Sequence, residues 1–256
     1  MENRKYPSYR ILERGERSTE LKGKCALAVM AKAPRAGRVK TRLQPPLSAE
    51  DAAALNVCFL RDTAENIASV AAEGRAQGLI CYTPVGDEIA FDGLLPEGFA
   101  LIAQRGDGFG ERLFCAAEDI LSCGFGAVCL IDSDSPTLPT GALRQAVEEL
   151  AREGERVVLG PSEDGGYYLV GMRCADARVF DRIAWSTESV YAETVERVRE
   201  AGLELVELPR WYDVDDAATL GVLEGELLRS ERPEFVTLDG FDATWTRKFL
   251  LERGAR

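Results

Sequence analysis

The sequence predicts an α/β protein in which helices cover both faces of a mixed, mostly parallel β-sheet. Short apolar runs rich in β-branched residues alternate with longer segments whose apolar residues recur at helical spacing, and this alternation is typical of parallel strands joined by helices. Two of the runs are separated only by the turn sequence of residues 162–165, which is too short for a parallel crossover. One strand must therefore run antiparallel to its neighbour.

The predicted strands are apolar runs that end at turn or charged residues. Pro84 ends the second run and Pro136 prevents the fourth from continuing, because proline has no amide hydrogen to donate. The strands are expected over residues 25–31, 78–83, 101–104, 126–131, 156–161, 166–172 and 203–208.

The predicted helices lie between these strands. Ser48 and Asp51 have the spacing of a capping box, so we expect a helix from there to about residue 70. Further helices are expected to end near residue 121, to follow Pro139, and to span residues 188–201 and 216–228.

We expect one domain over residues 24–228, because this part contains no repeat and no clear linker. Residues 1–23 are polar and lack periodicity, which predicts a flexible extension, with an ordered arm as the alternative. Residues 229–256 are irregular but contain large apolar residues that are expected to dock on the domain.

The composition excludes several classes of function. A formal net charge of −12 argues against a nucleic-acid-binding surface, which needs a basic face. The chain has no histidine, so histidine-based triads and histidine-ligated zinc are excluded, and a general base must be Asp or Glu, or less favourably Lys or Tyr. A bound metal would have oxygen ligands, which favours Mg²⁺ or Mn²⁺.

The cysteines and the hydropathy pattern indicate a cellular location. Seven cysteines without a CxxC pair are typical of reduced core thiols. No apolar stretch reaches 18 residues and the N-terminus lacks the apolar core of a signal peptide. These features predict a cytoplasmic protein without a membrane span.

Two aspartates, Asp132 and Asp134, follow directly after the apolar run of residues 126–131. Carboxylates at the end of a buried strand are costly without a counter-charge, and a divalent metal that carries a phosphorylated ligand is one solution. The alternative is an Asp-rich turn, in which the carboxylates accept hydrogen bonds from nearby backbone amides.

The loop after the first strand contains five cations around Gly37. Lysine and arginine neutralise phosphates, and glycine allows the backbone to approach a ligand closely. We therefore predict phosphate binding here, with a solvated basic loop as the alternative. The cations are Lys32, Arg35, Arg38, Lys40 and Arg42.

Two glycine-containing segments supply further candidates. In residues 104–110 the glycines, among them Gly106 and Gly110, permit tight contact with a planar base, and Gln104 has an amide that could read a base edge; the alternative is a plain turn. The turn of residues 160–168 contains Glu163 and Asp164, each a candidate base or substrate clamp, although a simple hairpin turn explains them equally well.

Two later segments complete the set. Asp213, Asp215 and Asp216 precede the helix of residues 216–228, where one acid would cap the helix and another would join Asp134 in a metal site. Trp185 precedes a further helix and would either pack in the core or stack on a sugar. Candidate substrate-binding residues are Gly165, Gly166, Trp185, Ser186 and Thr187.

Taken together, the segments resemble a bacterial family of GT-A-like nucleotide-diphospho-sugar transferases, whose distant relatives include the guanylyltransferases of molybdenum-cofactor and 2-phospholactate metabolism. The resemblance covers about residues 25–225. It is carried, in order, by MAKAPRAGRVKTRL, QRGDGFGERL, DSDSPTLP, GPSEDGGYYLVGM, WSTESVYAET and YDVDD.

The resemblance implies a Rossmann-like GT-A fold that binds a nucleotide diphosphate and Mg²⁺ or Mn²⁺. By this analogy the loop of residues 104–110 contacts the base, Lys40 and Arg42 contact phosphates, Asp132 and Asp134 take the place of a DxD-like element, and Asp215 joins Asp134 as a metal ligand.

The expected reaction is glycosyl transfer from a nucleotide sugar to a small acceptor, with Asp164 or Glu163 as the base if the anomeric centre inverts. The basic first loop is more similar to that of nucleotidyltransferases. The alternative is therefore nucleotidyl transfer, in which a phosphorylated small molecule attacks a nucleoside triphosphate and releases pyrophosphate. A non-catalytic nucleotide-binding or partner-binding module is the third possibility, disfavoured by the density of charged residues on these loops.

Overall fold

Eight strands form one sheet with six helices packed against it in the computed structural model, which describes residues 9–254. The strands are β1 (Arg10–Ile11), β2 (Cys25–Lys32), β3 (Ala76–Thr83), β4 (Ala100–Ala103), β5 (Ala127–Ile131), β6 (Arg156–Pro161), β7 (Tyr167–Met172) and β8 (Glu204–Glu207). The helices are α1 (Ala49–Ala71), α2 (Phe109–Ser122), α3 (Thr140–Ala151), α4 (Val190–Glu200), α5 (Ala217–Arg229) and α6 (Thr244–Gly254).

The sheet has the strand order β1-β4-β3-β2-β5-β7-β6-β8. Strand β7 runs antiparallel to both β5 and β6, and every other neighbouring pair is parallel. The predicted mixed, mostly parallel sheet is confirmed, and the antiparallel strand is the one that follows the short turn of residues 162–165.

Helices cover both faces of the sheet. Alternate residues of β2 point to opposite sides, so that Leu27 and Val29 join the core beneath α1, α3, α5 and α6, whereas Ala26 and Ala28 join the core beneath α2 and α4. Burial on both sides explains why this strand is a continuous apolar run. None of the helices within residues 9–254 is long and apolar enough to cross a membrane.

The N-terminal segment differs from the expected flexible extension. Strand β1 pairs in parallel with β4, the Leu12 amide donates to the Leu101 carbonyl at 2.7 Å, and Tyr9, Leu12 and Leu21 are buried. The segment thus satisfies backbone groups of β4 that would otherwise lie at a sheet edge. Residues 1–8 of the predicted extension lie outside the described residues.

The C-terminal segment forms helix α6 where the sequence suggested irregular structure. Asp62 of α1 accepts hydrogen bonds from the Trp245 and Thr246 amides at 2.9 and 2.8 Å, which satisfies donors at the start of α6. The capping group therefore comes from another helix.

Parallel order places several loops at one edge of the sheet. The segments that follow β2, β4, β5 and β8 meet there. The β6–β7 turn lies at the same edge, because β6 runs in the same direction as these strands and β7 runs back. In open α/β sheets this carboxyl edge is the usual place for a ligand.

Candidate functional site

Two adjoining cavities open at the carboxyl edge of the sheet. The larger, of about 490 Å³, is called the main cleft here, and the smaller, of about 220 Å³, is called the basic pocket. Arg42, Asp134 and Asp215 line both cavities and form the boundary between them. The basic pocket is otherwise lined by Lys32, Arg38, Val39, Lys40, Thr41, Asn56 and Ser133.

The Lys40 ammonium lies at the centre of this boundary. Its Nζ is 2.7 Å from Asp134 Oδ1 and 3.3 Å from Asp215 Oδ1, and it donates to the Val214 carbonyl at 2.7 Å. Only 4% of the side chain is exposed. Carboxylates from two loops far apart in the sequence therefore converge on one cation.

The charges of this cluster shift one another's protonation. Burial acts to lower the pKa of Lys40, but the carboxylates of Asp134 and Asp215 outweigh it, and the net pKa is raised. Burial and the negative charge of Asp134 raise the pKa of Asp215, against the opposing effect of Lys40 and Arg42. The two carboxylates thus share the Lys40 ammonium, and Arg42 adds a second cation beside Asp215.

Asp132 has a different role from Asp134. Its Oδ1 accepts hydrogen bonds from the Asp134 and Ser135 amides at 3.1 and 3.2 Å, and its Oδ2 accepts one from Ser135 Oγ at 2.8 Å. Burial, followed by the charge of Asp134, raises the pKa of Asp132 well above its usual value. Asp132 lines the main cleft, but its carboxylate accepts the amides of the turn that presents Asp134.

The other predicted phosphate-binding residues separate into two groups. The Arg42 side chain is 70% exposed, lines both cavities and lies 3.4 Å from Asp215 Oδ2, and Lys32 lines the basic pocket. Arg35 instead pairs with Asp87 and lies outside the lining of both cavities, as does Gly37, which has a φ of +69°. Arg35 lies away from both cavities because it pairs with Asp87, which is distant in the sequence and belongs to the β3–β4 connection.

Of the predicted base-binding loop, Phe109 lines the main cleft, whereas Gln104, Gly106 and Gly110 do not. Gln104 uses its amide nitrogen to donate to the Cys81 carbonyl at 2.7 Å, which joins the ends of neighbouring strands. Gly106 has a φ of +105° that favours glycine. A Cβ on Gly110 would lie 2.6 Å from the Trp185 indole nitrogen, so this glycine is needed for close packing of α2 against Trp185.

The two candidate bases point in different directions. Asp164 lines the main cleft, and its Oδ1 accepts the Gly166 amide at 2.8 Å. Glu163 lies outside the cleft lining and pairs with Arg210 at 3.0 Å. A Cβ on Gly165, which has a φ of +87°, would lie 2.1 Å from the Glu188 carbonyl oxygen, so glycine is required at this turn.

Two aromatic residues form part of the wall of the main cleft. Phe109 and Trp185 meet edge to face with their ring centroids 5.1 Å apart, and both line the cleft. Ser186, with a φ of +66°, and Thr187 continue this wall. Of the predicted substrate-binding residues, Gly166, Trp185, Ser186 and Thr187 line the cleft, and Gly165 supports its turn.

The structure brings several residues to the cleft that were not selected from the sequence. Asp213 is the clearest case: it accepts a hydrogen bond from Ser162 Oγ at 2.8 Å, and burial, together with the charge of Asp164, raises its pKa to about 6. Its place among the three acids of residues 213–216 was the available signal. Phe109 lies in the segment of residues 104–110, which was selected for its glycines and Gln104, and Tyr167 had no signal that distinguished it from a core aromatic.

The donor set limits how a metal could be held. Among residues 9–254 no group of three or more cysteine, aspartate or glutamate side chains is arranged to hold a metal ion. Asp134 and Asp215 are nevertheless placed to bind one cation together, because the Lys40 ammonium already contacts both. Two carboxylates suit Mg²⁺ or Mn²⁺ when substrate oxygens and water complete the shell.

Comparison with known proteins assigns the fold and a family. Residues 66–187 match a family described as an uncharacterized protein conserved in bacteria, DUF2064. A provisionally assigned nucleotide-diphospho-sugar transferase from Desulfovibrio desulfuricans G20 is 32% identical over 91% of this chain and 96% of its own, with a TM-score of 0.75. No curated protein is significantly similar in sequence.

More distant structures share the fold alone. The CMP:2-keto-3-deoxy-manno-octonic acid synthetase in complex with CTP is 13% identical, with a TM-score of 0.51 over 81% of this chain and 99% of its own. A nucleotidyl transferase from Methanothermobacter thermautotroptrophicus is 16% identical, with the same TM-score and the same coverage. The fold of this chain is therefore that of nucleotide-diphospho-sugar transferases and nucleotidyltransferases.

Proposed function

Because this chain belongs to the bacterial DUF2064 family and has the fold of nucleotide-diphospho-sugar transferases, we propose that it is a metal-dependent glycosyltransferase. It moves a sugar from a nucleotide-diphospho-sugar to a small acceptor.

One observation carries this proposal: a basic pocket and an acidic, aromatic cleft adjoin at the carboxylates of Asp134 and Asp215. The cations of the basic pocket suit the diphosphate of the donor. The main cleft offers aromatic faces and carboxylates for a sugar and its acceptor. The bond that breaks would then lie at the boundary between the two cavities.

Asp134 and Asp215 are the proposed ligands of Mg²⁺ or Mn²⁺. The metal would neutralise the negative charge that develops on the departing diphosphate. Arg42, which lines both cavities, would share that task through its guanidinium group. Asp132 would hold the loop in which Asp134 lies.

Asp164 is the proposed general base if the reaction inverts the anomeric centre. It lines the main cleft, away from Lys40, and would take the proton of the attacking hydroxyl group. Glu163 does not serve this role, because Arg210 holds its carboxylate outside the cleft lining.

Nucleotidyl transfer is the second candidate, and the number of cations in the basic pocket favours it. Lys32, Arg38, Lys40 and Arg42 together suit the triphosphate of a nucleoside triphosphate and the pyrophosphate that it would release. A phosphorylated acceptor would then occupy the main cleft, and no protein base is required.

Product analysis separates the two reactions. The protein is incubated with Mn²⁺ and a panel of nucleotide sugars and small acceptors, and separately with nucleoside triphosphates and sugar phosphates. Free nucleoside diphosphate in the first incubation supports glycosyl transfer. Pyrophosphate in the second incubation alone would replace this proposal with nucleotidyl transfer, and the absence of both products would exclude both reactions. Asp134→Ala is the control, and it should form neither product.

A further inference from the structure

We propose that the Lys40 ammonium and a divalent cation compete for the carboxylates of Asp134 and Asp215, so that Lys40 couples metal binding to the binding of a phosphorylated substrate. The inference rests on the proposed function, in which these two carboxylates hold the metal. It assigns Lys40 a positioning role in addition to phosphate contact.

The contacts of Lys40 make simultaneous binding unfavourable. Its Nζ lies 2.7 Å from Asp134 Oδ1 and 3.3 Å from Asp215 Oδ1, and the side chain is almost fully buried. A second cation on the same two carboxylates would be repelled by the ammonium at short range, where little water screens the charges. Metal binding therefore requires the ammonium to leave at least one carboxylate.

The structure offers one destination for the displaced ammonium. Lys40 lines the basic pocket, and its remaining contacts are the uncharged Val214 carbonyl and the face of the Phe59 ring, whose centroid lies 5.3 Å from Nζ. Without an anion in that pocket, the ammonium would lose both of its charged partners while it stays buried, which is costly. With phosphate oxygens in the pocket, the ammonium gains a new charged partner as it gives up the old ones.

Metal and phosphorylated substrate should consequently bind with positive cooperativity. Metal alone binds only the fraction of molecules in which Lys40 has left the carboxylates, so its apparent affinity is reduced by that fraction. Bound phosphate raises this fraction, and by linkage bound metal favours phosphate to the same extent.

Titration with Mn²⁺ alone tests the competition. Free Mn²⁺ is measured by electron paramagnetic resonance for the wild-type protein, Lys40→Met and Lys32→Met. Lys32 is the matched control, because it also lines the basic pocket but does not contact either carboxylate. Lys40→Met is expected to bind Mn²⁺ about tenfold or more tightly than the other two, if Lys40 engages the carboxylates in nine-tenths or more of the molecules.

A measurement on the wild-type protein avoids any effect of substitution on folding. Acetylation of Lys40 and Lys32 by acetic anhydride is followed by mass spectrometry. Excess Mn²⁺ alone is expected to increase labelling of Lys40 but not of Lys32, and a mixture of ADP, GDP, CDP, UDP and TDP added with Mn²⁺ is expected to decrease it again. Lys40→Gln, which keeps a polar side chain, replaces Lys40→Met if the latter is not folded by circular dichroism.

The outcomes distinguish this inference from the proposed function. Equal Mn²⁺ affinity in the three proteins, with Lys40 labelling insensitive to Mn²⁺, overturns the competition but leaves the metal site in place. Absence of Mn²⁺ binding in all three, even with the nucleotide mixture, removes the metal site and the inference with it.

Discussion

At the scale of single residues, the site depends on which charges meet. Asp134, Asp215 and Lys40 meet at hydrogen-bond distance although their loops are far apart in the chain. The sequence predicted that Asp134 and Asp215 converge beside a cationic loop, because the carboxyl ends of strands gather at one edge of a sheet, but not that Lys40 pairs with both carboxylates. It did not allow the partner of Arg35 to be predicted, since Asp87 lies in an irregular connection whose path only the folded chain defines.

Arg42→Ala should weaken the binding of a nucleoside diphosphate by roughly 1.5–3 kcal/mol, the usual contribution of a hydrogen bond to a charged group. Arg42 is exposed and lines both cavities, so the change removes a ligand contact and not a core interaction. Isothermal titration calorimetry measures the loss. Arg35→Ala, which removes a cation outside the lining of both cavities, is the control, and an equal loss in both variants would mean that only net charge matters.

Asp164→Asn should reduce turnover in glycosyl transfer by about a hundredfold or more while the affinity for nucleotide stays unchanged, because the amide cannot accept the proton of the acceptor. Steady-state kinetics with a nucleotide sugar separates the two effects. Glu163→Gln is the matched control, since its carboxylate lies outside the cleft lining. Loss of activity in Glu163→Gln but not in Asp164→Asn would identify Glu163 as the base and contradict this prediction.

At the scale of elements, regular segments with local signals were predictable and those that depend on distant partners were not. Helix α1 begins at a local cap, where Ser48 Oγ accepts the Asp51 amide at 3.0 Å, and it was predicted from that spacing. Helix α6 takes its capping carboxylate from Asp62 in another helix, and β1 depends on the edge of β4. The loop of residues 104–110 packs closely on Trp185 through Gly110 and brings Phe109 to the main cleft, and its contact with a base stays a prediction.

Asp62→Ala should destabilise the protein by about 1–3 kcal/mol, because it leaves two amide donors at the start of α6 without a partner. Urea unfolding followed by far-ultraviolet circular dichroism measures the change. Glu65→Ala is the control: it removes an exposed acceptor of the Trp245 indole N–H and should cost clearly less. A cost for Asp62→Ala no larger than that of the control would show that α6 does not depend on this cap.

The same carboxyl should give stability a dependence on pH. Burial raises the pKa of Asp62, against the effect of the Thr246 and Trp245 hydrogen bonds, so the folded state holds its proton more tightly than the unfolded chain. The stability from this group is complete below its ordinary pKa near 4 and is lost as pH rises through the raised pKa. The wild type should therefore lose stability relative to Asp62→Asn as the pH rises above about 4, and a constant difference in urea unfolding would contradict this assignment.

At the scale of the whole molecule, the local charge of the basic pocket is opposite in sign to the net charge of the chain. The chain carries a formal net charge of −12, yet four cations line one small pocket at the carboxyl edge of the sheet. Net charge describes only extended surfaces, because a local site is fixed by the loops that the topology brings together. The fold class followed from periodicity, whereas the partition of the loops into a basic pocket and an acidic, aromatic cleft required the folded chain.

Metal-dependent nucleotide binding tests most directly whether Asp134 and Asp215 hold one ion beside a phosphate pocket. Thermal unfolding is measured with the mixture of ADP, GDP, CDP, UDP and TDP, with and without Mn²⁺, for the wild type, Asp134→Asn, Asp215→Asn and the exposed-site control Asp239→Asn. The nucleotide mixture should stabilise wild type and Asp239→Asn clearly more with Mn²⁺ than without it, and the other two should not show this difference. Equal stabilisation of all four proteins, or stabilisation that Mn²⁺ does not increase, would contradict the account.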